Sequence, residues 1–131
     1  MIVVDSSAIV HALIDHPVNP DLLVTLGEHE LCAPHLLDFE VASAIRGHVR
    51  GQKLRSDRGR QALDDYVNLK ILRYEGAGLL PEIWHLENFT CYDAAYIALA
   101  IALRVPLVTS DDKHAEASRL GIDVRVFPAG S

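Results

Sequence analysis

The segment from Ala94 to Leu103 constrains this chain more than any other, because it contains no charged residue. It is far shorter than the roughly 18 apolar residues that a membrane-spanning helix requires. A helix that is apolar on all sides is expected to lie in the core of a globular domain. Asp93 precedes this segment in what would be the first helical turn, and a carboxylate at the edge of a core needs a partner.

One partner for Asp93 would be the backbone of its own helix. Thr90 and Asp93 have the spacing of a capping box, in which a carboxylate at the third helical position accepts a hydrogen bond from a free backbone N–H. Acidic residues are also common in the first turn of helices in general. Helix capping is therefore one interpretation of Asp93, and a functional site is the other.

The length and the charge of the chain set limits on its fold and partners. With 131 residues, half of them hydrophobic, it is expected to form a single domain over residues 1–131. Its 18 acidic and 12 basic residues give a net charge of −6, which is unusual for a nucleic-acid-binding protein. The N-terminus lacks a basic segment followed by a hydrophobic one, so we expect no signal peptide, no membrane association and a cytoplasmic location.

Short apolar segments alternate with helical patterns along the whole chain. Buried strands alternating in this way with helices predict a parallel sheet. We therefore expect one α/β domain with a central parallel sheet of four to five short strands and helices on both faces. The predicted strands cover residues 2–4, 31–33, 71–74, 106–109 and 124–127, and the last helix covers about 113–120.

Acidic residues occur where this sheet is expected to hold a functional site. Asp5 follows the first strand and Asp111 follows the fourth, so both belong at the carboxyl edge of the sheet, where functional groups gather in open parallel sheets. Glu40 and Asp93 lie in the first turns of helices. We expect these two to reach the same edge if the segments before their helices first cross the sheet.

Each acid also has an ordinary structural interpretation. Asp5 and Asp111 are plausible N-caps, and Glu40 could pair with Arg46 or Arg104. Four carboxylates at one edge would nevertheless repel each other in the absence of matching cations. A divalent cation relieves such repulsion, and carboxylate ligands favour Mg²⁺ or Mn²⁺.

Four sequence blocks, in order and over nearly the whole chain, carry a family resemblance. They are Ile2 to Ala8, Pro34 with Glu40, Thr90 to Ala100, and Leu107 to Asp111, of which Tyr92-Asp93-Ala94-Ala95-Tyr96 is the most specific. Together they resemble PIN-domain proteins, specifically the VapC-type toxin ribonucleases of type II toxin–antitoxin systems. The chain departs from the family in two places: Ile101 stands where many relatives have an acid, and Asp112 is an additional acid that could replace Asp111.

The resemblance implies a divalent-metal-dependent endoribonuclease that hydrolyses RNA phosphodiesters with Mg²⁺ or Mn²⁺. It also implies a cognate antitoxin protein as inhibitor and a homodimer. Within the family pattern, Thr109 matches a supporting hydroxyl residue. The positions that match the catalytic and metal-binding residues are Asp5, Glu40, Asp93 and Asp111.

An RNA substrate requires positive charge on this acidic protein. Residues 46–60 contain six of the basic residues and one acid, Asp57. Arg46 and Arg50 are the best candidates for phosphate contacts, because they lie nearest to Glu40 on the same helix. A solvated helix surface without a function is an equally good explanation of this charge. His114 is expected at the surface.

Two other classes of function also fit parts of the sequence. A magnesium-dependent phosphotransfer or phosphatase domain also places an aspartate after its first strand. Phosphatases of that type usually have a second aspartate at position 7, which is Ser7 here, and Lys113 is expected to lie too far along the chain for the required lysine. A non-catalytic binding module would be favoured if the acids were dispersed helix caps without a metal.

Overall fold

The computed structural model describes residues 1–129, which form an α/β fold around one five-stranded sheet. The strand order is β3-β2-β1-β4-β5, and every neighbouring pair is parallel. This confirms the predicted parallel sheet. The strands are β1 (Ile2–Val4), β2 (Leu31–Pro34), β3 (Ile71–Tyr74), β4 (Leu107–Thr109) and β5 (Val124–Val126).

Helices cover both faces of the sheet. α1, α3 and α4 pack against one another, and α5 packs against α6. The chain moves outward from β1 to β3 and then across to β4 and β5, so right-handed crossovers place these two groups on opposite faces. Residues 112–120, predicted as the last helix, form a 3₁₀ helix. The α-helices are α1 (Ser6–Ile14), α2 (Pro20–Glu28), α3 (Leu36–Arg50), α4 (Ser56–Val67), α5 (Leu80–His85) and α6 (Cys91–Leu103).

The buried helix predicted from residues 94–103 is α6. It packs on β1, β2 and β4, where its alanines allow close approach and Tyr96, Ile97 and Leu99 fill volume. The Thr90 hydroxyl accepts a hydrogen bond from the Asp93 N–H at 3.1 Å and so caps the helix. The Thr90 side chain, and not the Asp93 carboxylate, therefore caps this turn, and the carboxylate contacts other residues.

The carboxyl ends of β1, β2, β3 and β4 bring the acidic segments to one edge of the sheet. β1 and β4 are neighbours, with Val4 opposite Val108, so Asp5 and Asp111 follow adjacent strands. β2 and β3 also end at this edge, and α3 and α6 start from it. The expectation that the chain must first cross the sheet was wrong, because each parallel strand already delivers the chain to the carboxyl edge.

No helix within residues 1–129 combines the length and the apolar character needed to cross a membrane.

Candidate active site

Asp5 is a buried carboxylate whose two oxygens have different partners. It caps α1, where Oδ1 accepts hydrogen bonds from the Ala8 N–H at 3.0 Å and the Ser7 hydroxyl at 2.8 Å. Oδ2 accepts a hydrogen bond from the Thr109 hydroxyl at 2.5 Å. Burial raises the pKa of the Asp5 carboxyl above its ordinary value, and the hydrogen bond from Thr109 opposes this. Asp5 is therefore both an N-cap and a buried acid at the sheet edge.

Thr109 and Ser7 join the ends of β4 and β1. The Thr109 hydroxyl accepts a hydrogen bond from the Asp111 N–H at 3.0 Å while it donates to Asp5. The Ser7 hydroxyl lies 3.1 Å from that of Thr109 and accepts from the Ser110 N–H at 3.0 Å. Ser7 is not among the site residues predicted from the sequence, although its position two residues after Asp5 is a signal for such a contact.

Asp93 and Asp111 meet at the ammonium group of Lys113. Lys113 Nζ lies 3.4 Å from Asp93 Oδ1 and 3.7 Å from Asp111 Oδ2. Partial burial acts to lower the pKa of Lys113, but these two carboxylates outweigh it and raise the pKa above its ordinary value. Lys113 thus lies beside two of the predicted site acids. That it lies too far along the chain for the lysine of a phosphatase stays a prediction. Asp112 is exposed and takes part in none of the ion pairs described for residues 1–129, so Asp111 is the acid beside Asp93.

His114 occupies the space between Asp5 and Asp93. Its Nε2 is 3.5 Å from Asp5 Oδ2 and 3.6 Å from Asp93 Oδ1, and 2% of the residue is exposed. Its Nδ1 is buried without a hydrogen-bond partner in the described chain. The expected surface position was wrong, because the 3₁₀ helix turns His114 inward and leaves Lys113 facing solvent.

Glu40 has the hydroxyl of Tyr96 as its hydrogen-bond partner. The Tyr96 hydroxyl, which is buried in α6, donates a hydrogen bond to Glu40 Oε1 at 2.5 Å. Burial raises the pKa of Tyr96, and the carboxylates of Glu40 and Asp5 raise it further. The ion pairs of residues 1–129 do not join Glu40 to Arg46 or Arg104, the cations considered from the sequence. No pattern in the sequence indicates this contact, since the residues around Tyr96 are apolar.

The structure does not bring Arg46 and Arg50 to this cluster. Both are exposed on α3, whereas Ala44 and His48 of that helix line the cleft beside the acids. Residues two positions apart on a helix are separated by about 200°, so Arg46 projects away from this lining. Their contact with RNA stays a prediction.

Two other cations of the basic segment are engaged elsewhere. Arg58 Nη2 donates to the Leu13 carbonyl at 2.5 Å, which ties α4 to the end of α1. Arg55 pairs with Asp57 at 2.6 Å. These contacts reduce the positive charge that residues 46–60 can offer to a phosphate backbone.

A cleft of about 600 Å³ opens beside Ser7 and Asp111. Asp15, Asp111 and Asp112 contribute carboxylates to its wall, and the lining residues include no lysine or arginine in the described chain. The cleft is therefore suited to a partner that brings positive charge of its own. The lining residues are Ser6, Ser7, Val10, His11, Asp15, Ala44, His48, Ser110, Asp111, Asp112, Val126, Pro128 and Ala129.

The donor groups at this edge match a hard divalent cation in kind. Asp5, Asp93 and Asp111 supply carboxylate oxygens, the ligands that Mg²⁺ and Mn²⁺ take. Within residues 1–129, however, no three His, Cys, Asp or Glu side chains are arranged as a preformed metal site. Lys113 and His114 lie beside these carboxylates, where a metal ion would bind.

The fold and this acidic edge are those of PIN-domain proteins. The PIN-domain family model matches residues 2–120, and the chain belongs to this family. Within it, the chain is one of the VapC ribonucleases. It is 36% identical to VapC ribonuclease Mb0985 of Mycobacterium bovis over 129 residues, covering 98% of this chain and 99% of the relative. It is 39% identical to ribonuclease VapC1 of Mycobacterium tuberculosis over 127 residues, with 95% and 96% covered.

Solved structures of VapC proteins share the fold. The chain matches VapC20 of Mycobacterium tuberculosis, a toxin that cleaves the sarcin–ricin loop, with a TM-score of 0.67, 12% identity and coverage of 93% and 96%. It matches VapBC2 of Rickettsia felis bound to a promoter DNA fragment with a TM-score of 0.68, 15% identity and coverage of 97% and 99%. The resemblance to VapC-type toxins is thereby confirmed.

Proposed function

We propose that this chain is a divalent-metal-dependent endoribonuclease, acting as the toxin of a toxin–antitoxin pair, with Asp5, Glu40, Asp93 and Asp111 as its metal-binding and catalytic residues. The observation that carries the proposal is the position of His114 Nε2 between the carboxylates of Asp5 and Asp93. Acids from two distant segments of the chain thus meet at one buried point on the edge of the sheet.

Each acid would have a defined task in hydrolysis. A bound Mg²⁺ or Mn²⁺ lowers the pKa of a coordinated water and stabilises charge on the phosphate oxygens. Asp5, held by Thr109 and Ser7, would present a fixed oxygen to the ion, and Asp93 would offer a second from the start of α6. Glu40, held by the Tyr96 hydroxyl, would orient the attacking water or bind a second ion, as would Asp111.

With a bound metal ion to offset its acids, the cleft beside Ser7 and Asp111 would receive a single-stranded RNA segment. Arg46 and Arg50 would contact phosphates outside the cleft, since they project from the solvent face of α3. RNA segments whose bases are unstacked fit such a cleft better than a duplex.

An antitoxin protein would inhibit the enzyme by placing a cation among the carboxylates. Asp111, which lines the cleft and belongs to the proposed catalytic acids, supports this, because an arginine can bind a carboxylate through two hydrogen bonds. The match to the VapBC2 structure also supports an antitoxin partner. We further propose a cytoplasmic homodimer, supported by exposed apolar side chains of α5 and α6 that include Leu80, Trp84 and Tyr92.

The test is cleavage of total RNA by the purified protein with Mg²⁺, with Mn²⁺ and with EDTA. We expect discrete fragments that require the metal and disappear in Asp93→Asn, since an amide is a weaker ligand for a hard cation than a carboxylate. Asp64→Asn is the control: it removes an exposed acid of α4, outside the cleft, and should leave cleavage unchanged.

Three results would contradict the proposal. Cleavage that survives both EDTA and Asp93→Asn would come from a contaminant or from another chemistry. A folded wild-type protein that neither cleaves RNA nor binds Mn²⁺ would instead make the acids helix caps, and a non-catalytic binding module would then be the better interpretation. Turnover of a phosphate monoester without RNA cleavage would favour the phosphatase alternative.

A further inference from the structure

Lys113 is a cation that the predicted acidic site did not include. Its ammonium group stands between two carboxylates, 3.4 Å from Asp93 Oδ1 and 3.7 Å from Asp111 Oδ2. Its backbone N–H donates to Asp111 Oδ1 at 3.0 Å, so Asp111 contacts both ends of the residue. The 3₁₀ helix therefore fixes the position of the Lys113 backbone, and the carboxylates of Asp93 and Asp111 hold its ammonium group.

This contact has little to do with the stability of the fold. The Lys113 side chain is 56% exposed, and exposed ion pairs contribute about 0–1 kcal/mol. An exposed ammonium group is also free to reach a substrate. Lysine binds phosphate as a compact point charge, with three donors and no fixed geometry.

The position of Lys113 bears on how many metal ions the site needs. In two-metal hydrolases the ions lie about 3.5–4 Å apart and stabilise the attacking and the leaving oxygen. Asp111, which would help to hold a second ion here, already shares the ammonium of Lys113 with Asp93. A further divalent ion between them would have to displace or repel that positive charge.

We propose that Lys113 serves as the second cation of this site, so that one divalent ion per chain is sufficient and the ammonium group binds the scissile phosphate. This inference rests on the proposed ribonuclease function. Lys113 then supplies positive charge on the side of Asp93 and Asp111, where it faces the charge that develops on the phosphate in the transition state.

The first test counts Mn²⁺ ions bound per chain, without RNA, by electron paramagnetic resonance of the free ion. We expect one ion in the wild type, one in Lys113→Arg, which keeps the charge, and two in Lys113→Met. Arg119→Met is the matched control, because Arg119 belongs to the same 3₁₀ helix but pairs with Glu116 and should leave one ion bound. Circular dichroism checks that each variant is folded.

Binding of two ions by the wild type would overturn the inference, and so would one ion with unchanged affinity in Lys113→Met. The count does not depend on RNA cleavage. A protein that changes from one ion to two in Lys113→Met but cuts no RNA would therefore contradict the proposed function and still support Lys113 as the second cation.

The second test separates binding from catalysis. If the ammonium group stabilises the transition state, Lys113→Met should lower kcat by about 10²–10³-fold, as the loss of one charge-stabilising donor does in other enzymes. KM for RNA should change much less, and Lys113→Arg should recover most of kcat. A rise in KM with kcat unchanged would overturn the inference, since it would make Lys113 an ordinary phosphate contact.

Discussion

The two oxygens of Asp5 show how one residue can be a helix cap and a site residue together. Oδ1 satisfies the free N–H of Ala8 at the start of α1, and Oδ2 accepts the Thr109 hydroxyl from β4. From the sequence alone, helix capping and a functional role are alternatives for Asp5. They are compatible because a carboxylate has about four positions that can accept a hydrogen bond.

Thr109 orients Asp5 from a neighbouring strand, and this can be tested with a substitution of nearly the same shape. Thr109→Val removes the hydroxyl that donates to Asp5 Oδ2. We expect a loss of about 10–100-fold in activity or metal affinity, which is typical when a residue that hydrogen-bonds to a metal ligand is replaced. Initial cleavage rates over a range of Mn²⁺ concentrations measure both.

Thr109→Ser keeps the hydroxyl and should retain most of the activity. Thr25→Val is a control in α2, where the Thr25 hydroxyl only donates to the Asp21 carbonyl at the surface. Full activity in Thr109→Val would show that the backbone and Ser7 contacts are sufficient to hold Asp5.

At the scale of the elements, the N-terminus of α6 combines a cap with a predicted catalytic acid. Thr90→Ala removes the side chain that accepts from the Asp93 N–H. We expect a loss of about 1 kcal/mol in the free energy of unfolding, which is the usual cost of an N-cap. Urea denaturation of the wild type, Thr90→Ala and Thr90→Ser measures this, and the serine variant should keep most of the stability.

Asp38 links three elements of the fold. It lies in α3 and accepts hydrogen bonds from the Tyr66 hydroxyl of α4 at 2.6 Å and from Arg73 Nη2 of β3 at 2.8 Å. Partial burial acts to raise the pKa of Asp38, but the contacts with Arg73 and Tyr66 outweigh it and hold the pKa below its ordinary value. The charged carboxylate therefore stabilises the folded state.

The lowered pKa of Asp38 predicts a dependence of stability on pH. A carboxyl group with a lower pKa in the folded state stabilises the protein above its unfolded pKa of 3.8, and this contribution is lost as the pH falls through the folded value. At pH 7 we expect Asp38→Asn to cost about 1 kcal/mol, less than a fully buried charged hydrogen bond because the Asp38 side chain is 38% exposed.

Urea denaturation between pH 7 and pH 3 measures this difference. The gap between Asp38→Asn and the wild type should narrow toward the acid end of that range. Asp64→Asn, which changes an exposed acid in α4, is the control. A gap that stays constant with pH would mean that packing, and not the charge of Asp38, accounts for the loss.

At the scale of the whole molecule, α5 and the start of α6 present apolar side chains to solvent. Leu80, Trp84 and Tyr92 are 58%, 77% and 64% exposed. Exposed apolar patches of this kind often mark contacts with other proteins. If a second copy of the chain covers this surface, Trp84→Glu should convert a dimer into a monomer, because it would bury an unpaired charge.

Light scattering measures the mass in solution and so distinguishes a dimer from a monomer. The wild type and Val67→Glu, which alters an exposed apolar residue of α4, should both have the mass of two chains. A monomeric wild type would contradict the homodimer. Dimers in both variants would place the interface on another surface.

Most of the architecture could be predicted from consecutive residues. The buried helix α6, the β-branched strand Ile2–Val4 and the positions of Asp5 and Asp111 after their strands all follow from apolar patterns within short segments. The comparisons confirm the PIN-domain family that the same motifs indicated. Local patterns suffice here because a parallel sheet places all its strand ends at one edge, whatever the details of packing.

The partners of each acid depended on contacts between distant segments. Tyr96 and Glu40 are 56 residues apart, and the hydroxyl that joins them lies in a helix whose sequence indicates only burial. His114 turns inward, and Lys113 beside it turns outward, because the segment after β4 is a 3₁₀ helix. A one-residue difference in such a helix rotates a side chain by about 120°, so packing decides which residue enters the site. Sequence motifs predicted the edge of the sheet at which Asp5, Asp93 and Asp111 lie. The tertiary structure decided that Lys113 and His114 lie beside these carboxylates.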